Sequence, residues 1–204
     1  MSALLQACLL GAGALLAMAL LVRARGMTES DRPPLFCAQL GFGLLAATGL
    51  LAAVDLASLA AVGDAREWLQ QASQMLGVPL IATAALSLAR GWQWSRPTWG
   101  RVLLGLCVFF ELARQLRWNE SYALGLTLAS SLLVVYAGLL SLAVPRRLAA
   151  ALAAGALLLA STPLIKNPLA QWQLLILAAA CPLLAWLLRE LTSGIPSKKA
   201  VYPG

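Results

Sequence analysis

Histidine is absent from this sequence, and only 11% of its residues are charged. The first absence removes imidazole general acid–base catalysis, histidine-ligated zinc and axial histidine ligation of haem. The second leaves too little polar surface to cover a soluble globule, because an ordinary soluble domain is about one quarter charged. Cysteine is scarce as well. Cys8, Cys37, Cys107 and Cys181 fall in or beside four different apolar runs, with no two at the spacing of a thiolate metal or redox motif. They read as small apolar side chains, and neither a metal site nor a cofactor is expected.

What fills the chain instead is apolar: 61% of its 204 residues are hydrophobic and the mean hydropathy is +0.81. Bilayer is the solvent that suits such a composition. The net charge of +7 does not point to a nucleic acid, whose binders gather cations on one face or arm. Here Lys and Arg stand singly or in pairs at the ends of apolar runs.

A helix needs about 20 residues to cross the hydrocarbon core. Seven runs approach that length: 3–22, 35–62, 76–89, 102–116, 122–144, 148–165 and 169–188. The third and fourth are short and need flanking residues, Trp68–Met75 and Trp99–Arg101, to complete a span. Lipid cannot satisfy backbone N–H and C=O groups, so each run should be helical, and the alternation that a barrel requires is missing. The expected fold class is all-α, a polytopic bundle of seven transmembrane helices forming one domain over residues 1–204.

Cations set the expected orientation, since Lys and Arg stay on the cytoplasmic side. After spans one, three, five and seven come Arg23, Arg25, Arg32, Arg90, Arg96, Arg101, Arg146, Arg147, Arg189, Lys198 and Lys199; after the others come only Arg66, Arg114, Arg117 and Lys166. The bias places the N-terminus outside and the C-terminus in the cytoplasm. No positive charge precedes the first run, which therefore reads as a retained span and not a cleaved leader. The Ala, Leu and Arg bias suits a bacterial inner membrane.

Two loops carry patterns. Between residues 90 and 99, Trp92, Trp94 and Trp99 stand among Arg90 and Arg96, which fits an aromatic belt with basic anchors and also a site for an anionic lipid or a membrane partner. On the outer side, Asp64 followed three residues later by Glu67 resembles a capping box. It would open a short interfacial helix with Trp68, Leu69, Ala72 and Met75 on its apolar face.

Ionisable residues inside spans cost about 2.5–3.5 kcal/mol each at a helix centre, which makes them candidates for function. Asp55, Glu111 and Arg114 qualify. Glu111 and Arg114 are i, i+3 neighbours, and with Cys107, Gln115 and Trp118 they form a stripe expected to avoid lipid and face the bundle. Gln6, Tyr122, Thr127, Ser161, Thr162, Lys166, Asn167, Gln171 and Gln173 add polarity to the same outer half. The expectation is an outward-facing polar cavity with Asp55, Glu111, Arg114, Gln115 and Trp118 as binding residues. A network that only fixes helix register is the competing reading. In function the chain reads as a non-enzymatic component that binds a lipid, an envelope precursor or another membrane protein. A small proton-coupled transporter and a carboxylate-based hydrolase or transferase are the alternatives. No resemblance to a known family accompanies these residues.

Overall fold

The computed structural model describes residues 2–23, 31–57, 62–92, 94–140, 144–161 and 172–193, and these residues are helical apart from short turns. Seven helices follow in order: α1 (Ala3–Val22), α2 (Arg32–Leu56), α3 (Gly63–Arg90), α4 (Arg96–Gln115), α5 (Asn119–Leu139), α6 (Pro145–Ala160) and α7 (Gln173–Ser193). Proline starts several of them, since a residue without an N–H is tolerated in a first turn whose amides lack partners anyway. Pro33 opens α2, Pro97 opens α4 and Pro145 opens α6. Helix α3 ends on Gly91, whose φ of 63° lets Trp92 N–H bond back to the Ser87 carbonyl at 2.9 Å; a left-handed residue there suits glycine.

The third span departs from the sequence reading. The expected interfacial helix and the expected short span form one helix, Gly63–Arg90, of 28 residues. Its polar middle, Gln70 to Gln74, continues helically through a π-helical turn at Ser73–Gly77. Hydroxyls approach the carbonyls just before that turn: Thr48 Oγ1 of α2, bonded to Leu44 O of its own helix at 2.8 Å, also reaches Leu69 O at 3.2 Å, and Ser73 Oγ donates to Gln70 O at 2.8 Å. The capping box does not form either. Val62 is the N-cap residue and Asp64 lies inside the first turn, where a carboxylate complements the helix dipole. The other boundaries shift by a few residues. The expected ends of the second and sixth spans, at 58–61 and 162–165, and the start of the seventh, at 169–171, lie outside the described residues.

Among the described residues, five helices are long and apolar enough to cross a membrane: α1, α2, α3, the Ser121–Leu139 part of α5 and the Gln173–Thr192 part of α7. The described residues thus form a helical chain with the length and apolar composition of a membrane protein. Helix α4 falls short because Arg96, Arg101, Glu111 and Arg114 interrupt it, and α6 because it has 16 residues.

Six helices close a ring in the order α1, α2, α3, α5, α6, α7, with α3 also touching α7 across the middle. Helix α4 lies outside, against α2 and α3. Within lipid, burial of apolar surface does not drive helices together, so close approach of small residues must. The core accordingly contains Ala7, Ala14, Ala17, Ala82, Ala85, Ala151, Ala154 and Ala185, all fully buried. At two crossings the backbones themselves meet. A Cβ on Gly49 would lie 2.8 Å from Gly11 Cα and 2.9 Å from the Ala7 carbonyl oxygen, and one on Gly41 would lie 2.5 Å from the Gly77 carbonyl oxygen. Between α5 and α6, Ser131 Oγ donates to Gly155 O at 2.8 Å. Leucines on the outside of the ring, such as Leu15, Leu16, Leu132 and Leu152, stay exposed, as a lipid-facing surface should.

Candidate functional site

The two ends of the bundle differ. At the end that carries the C-terminus of α2 and the N-terminus of α3, Asp55 accepts a hydrogen bond from Arg66 at 2.7 Å. Both side chains are partly covered, 25% and 32% exposed. The pair ties two helices of the ring. At the same end of α4, Glu111 receives Arg114 Nε at 2.9 Å, Arg114 Nη2 at 2.8 Å and Gln115 Nε2 at 3.0 Å. Each carboxylate is therefore held by its own arginine. Arg66 was read from the sequence only as an outer-loop cation; its place on the first turns of α3, facing the last turn of α2, becomes visible once α3 is known to start at Gly63.

The stripe containing Glu111 does not face the bundle. Cys107, Arg114, Gln115 and Trp118 are exposed, Trp118 by 66%. Only Trp99, Phe110 and Ala113 of α4 are buried, with Phe110 meeting the Trp68 ring edge-on at 5.9 Å. The physical reason is competition between two faces of one helix. The large apolar row of Trp99 and Phe110 gains contact by packing, whereas Glu111, Arg114 and Gln115 satisfy one another within their own helix and need no neighbour. We expect Glu111→Gln to leave the yield of folded, monodisperse protein unchanged by size-exclusion chromatography; a loss matching that of an Asp55 variant would show that the pair holds helices together.

Other polar groups expected around an outer cavity donate to backbone carbonyls. Thr127 Oγ1 donates to Ala123 O at 2.7 Å, Ser161 Oγ to Leu158 O at 2.7 Å, and Gln173 Nε2 to Ser161 O at 2.9 Å. Gln6 is buried on α1 and Tyr122 is half-buried on α5. Thr162, Lys166, Asn167 and Gln171 lie outside the described residues.

The opposite end is rich in arginine and aromatic rings. Trp92 stacks on Trp94 with ring centroids 5.2 Å apart, and Trp94 lies 5.3 Å from Trp99. The Arg90 guanidinium sits 5.3 Å from the Trp92 centroid and 5.5 Å from the Tyr136 centroid, and it also donates to the Tyr136 hydroxyl. Its charge is spent on these rings. Trp99 departs from the expected belt: it is 3% exposed, and its buried Nε1–H has no partner among the described residues. Beside it, a cleft of about 330 Å³ opens between the first turns of α2 and α4, lined by Arg32, Pro33, Phe36, Arg96, Trp99 and Leu103 together with Cys37 and Gly100. From sequence Arg96 and Trp99 are expected as anchors, with nothing that joins them to Arg32 and Phe36. The signal was the repeated Arg-Pro at the start of two helices, Arg32-Pro33 and Arg96-Pro97.

No family model, curated protein or solved structure matches the chain. A mainly apolar cleft with Arg32 and Arg96 among its lining residues suits an amphiphile with a negative group. Two separately neutralised carboxylates at the other end suit structural ion pairs better than an acid and base sharing a substrate, which must lie within hydrogen-bond reach of one reacting atom or one water.

Proposed function

We propose that the chain is a seven-span, non-enzymatic protein of a bacterial inner membrane that works by binding, taking a lipid-like molecule or a membrane partner. The observation that carries this reading is the contrast between the ends: Asp55 and Glu111 are each engaged by an arginine, while Arg32 and Arg96 line one cleft. The binding feature thus lies at the arginine-rich end, opposite to the polar cavity expected from sequence. Co-purification in mild detergent followed by native mass spectrometry tests it. A retained amphiphile or a stoichiometric partner supports the reading. Proton-coupled uptake by the purified protein in liposomes, abolished by Asp55→Asn, would replace it with transport.

Seven crossings require α4 and α6 to span despite their charge and length. The side-chain pattern of α4 supports this, with Leu104, Val108, Phe109 and Leu112 all exposed between Arg101 and Arg114, an apolar band with charged ends. The arginine-rich end then faces the cytoplasm. A cysteine introduced at Ser95 should resist a membrane-impermeant maleimide in intact cells, and one at Arg117 should react. The reverse pattern would invert the topology, and equal reaction at both would remove the α4 crossing.

A further inference from the structure

We propose that the cleft between the first turns of α2 and α4 holds an anionic phospholipid of the surrounding membrane, its phosphate between Arg32 and Arg96 and one acyl chain along Phe36 and Leu103. This rests on the binding reading above and names its ligand.

Three features of the cleft converge. The first is charge. Arg32 and Arg96 both line it, and among the described residues neither has an ion pair, whereas Arg90 at the same end is taken up by Trp92 and Tyr136. Asp31, next to Arg32, is buried and already has an interaction of its own. Two helix N-termini add partial positive charge. Their backbone amides contribute little as donors, because Pro33, Pro34 and Pro97 remove N–H groups from the first turns. Binding therefore falls to the two guanidinium groups, which match a phosphate with paired donors.

The second feature is shape. A volume of about 330 Å³ is near the lower bound for small-molecule sites. It has room for a head group and the first part of a chain but not for a whole diacyl lipid. The remainder must lie in the bilayer, and Phe36, 59% exposed at the rim, gives it an apolar surface to follow. A free phosphate would leave Phe36 and Leu103 unused.

The third is rigidity. Trp99 is nearly fully buried and backed by the Trp94 and Trp92 rings, so one wall is fixed before any ligand arrives. A preformed wall lowers the ordering cost of binding.

The test uses the full chain in detergent, titrated with dioctanoyl phosphatidylglycerol while tryptophan fluorescence and native mass spectra are read. Wild type should bind this lipid in preference to dioctanoyl phosphatidylcholine. Arg32→Gln with Arg96→Gln should weaken binding about tenfold or more, as expected when charge-assisted hydrogen bonds are lost. Arg23→Gln with Arg101→Gln, at the same end but outside the cleft, should change it by less than about twofold. Leu103→Trp should weaken the lipid by filling the apolar part of the cleft. Equal weakening by both arginine pairs would show general surface attraction and overturn the proposal. So would inorganic phosphate competing as strongly as the lipid, which would assign the site to a soluble anion. If no lipid is held but a protein partner co-purifies, the cleft proposal fails while the binding reading stands; if nothing is held by any probe, both fail.

Discussion

Replacing Gly49 with leucine should leave most of the protein unable to assemble its native bundle, while the same change at Gly43 on the same helix should be tolerated. The difference lies in what each α-carbon faces. Beyond Gly49 stand the Gly11 backbone and the Ala7 carbonyl of α1, with even a single added carbon placed 2.8 Å from Gly11 Cα. Beyond Gly43 there is nothing within 4 Å. Overpacking a well-filled core usually costs about 1–3 kcal/mol because neighbouring side chains turn aside. At Gly49 the obstacles are backbone atoms of another helix, which cannot turn, so α1 must move away from α2. That helix is clamped on its other side by α7, and displacing it opens two interfaces together. The cost should reach or pass the top of that range, a large share of the roughly 5–15 kcal/mol that holds a typical protein folded. Gly43→Leu should be neutral or slightly stabilising, since glycine is about 1 kcal/mol worse than a good helix former. Fluorescence-detected size exclusion and thermal melting in one detergent would read both. A Gly49→Leu melting point within about 2 °C of wild type, less than about 1 kcal/mol for a chain of this size, would contradict the crossing.

Gly49 also shows where sequence is informative and where it is not. Apolar length and the lack of charge mark α1, α2, α5 and α7 as helices of membrane-crossing length, because lipid leaves the backbone no alternative to the helix. The same criterion splits α3, since Gln70, Gln71, Ser73 and Gln74 lower the local hydropathy enough to look like a boundary. In the structure the helix runs on through them, and a backbone carbonyl beside them meets a hydroxyl remote in sequence. Thr48 Oγ1 reaching Leu69 O across 21 positions is one such contact. Side-chain orientation is harder still. The spacing of Cys107, Glu111, Arg114 and Trp118 shows that they share a face, but not which way the face points. That depends on the competing row of Trp99 and Phe110 and on α4 lying outside the ring. Likewise Arg32 and Arg96 are 64 positions apart, and only the packing of α2 against α4 brings their first turns together.

Exchanging the charges of Asp55 and Arg66 should restore the stability that either single change removes. Asp55→Ala leaves Arg66 without its 2.7 Å partner, and Arg66→Ala leaves a carboxylate near the membrane boundary with no counter-charge. Each loss should be on the order of 1 kcal/mol, in line with polar pairs between helices in membranes. Burial is partial, with 25% and 32% of the two side chains exposed, so water moderates the loss and a full buried-pair penalty does not apply. Asp55→Arg alone should be worse, since two arginines would then face each other across α2 and α3. Adding Arg66→Asp should recover most of the wild-type melting point, and the coupling in a double-mutant cycle would measure the pair directly. The exchange also separates the two roles that sequence left open for Asp55. A carboxylate that ties α3 to α2 can trade places with its arginine, because attraction is symmetric. A carboxylate that carries a proton or meets a substrate cannot, because the exchanged protein has arginine at position 55 and the acid several Å away on another helix. Recovery of stability together with lipid binding would assign Asp55 to architecture; recovery of stability with loss of binding would move the functional centre back to the end that holds Asp55.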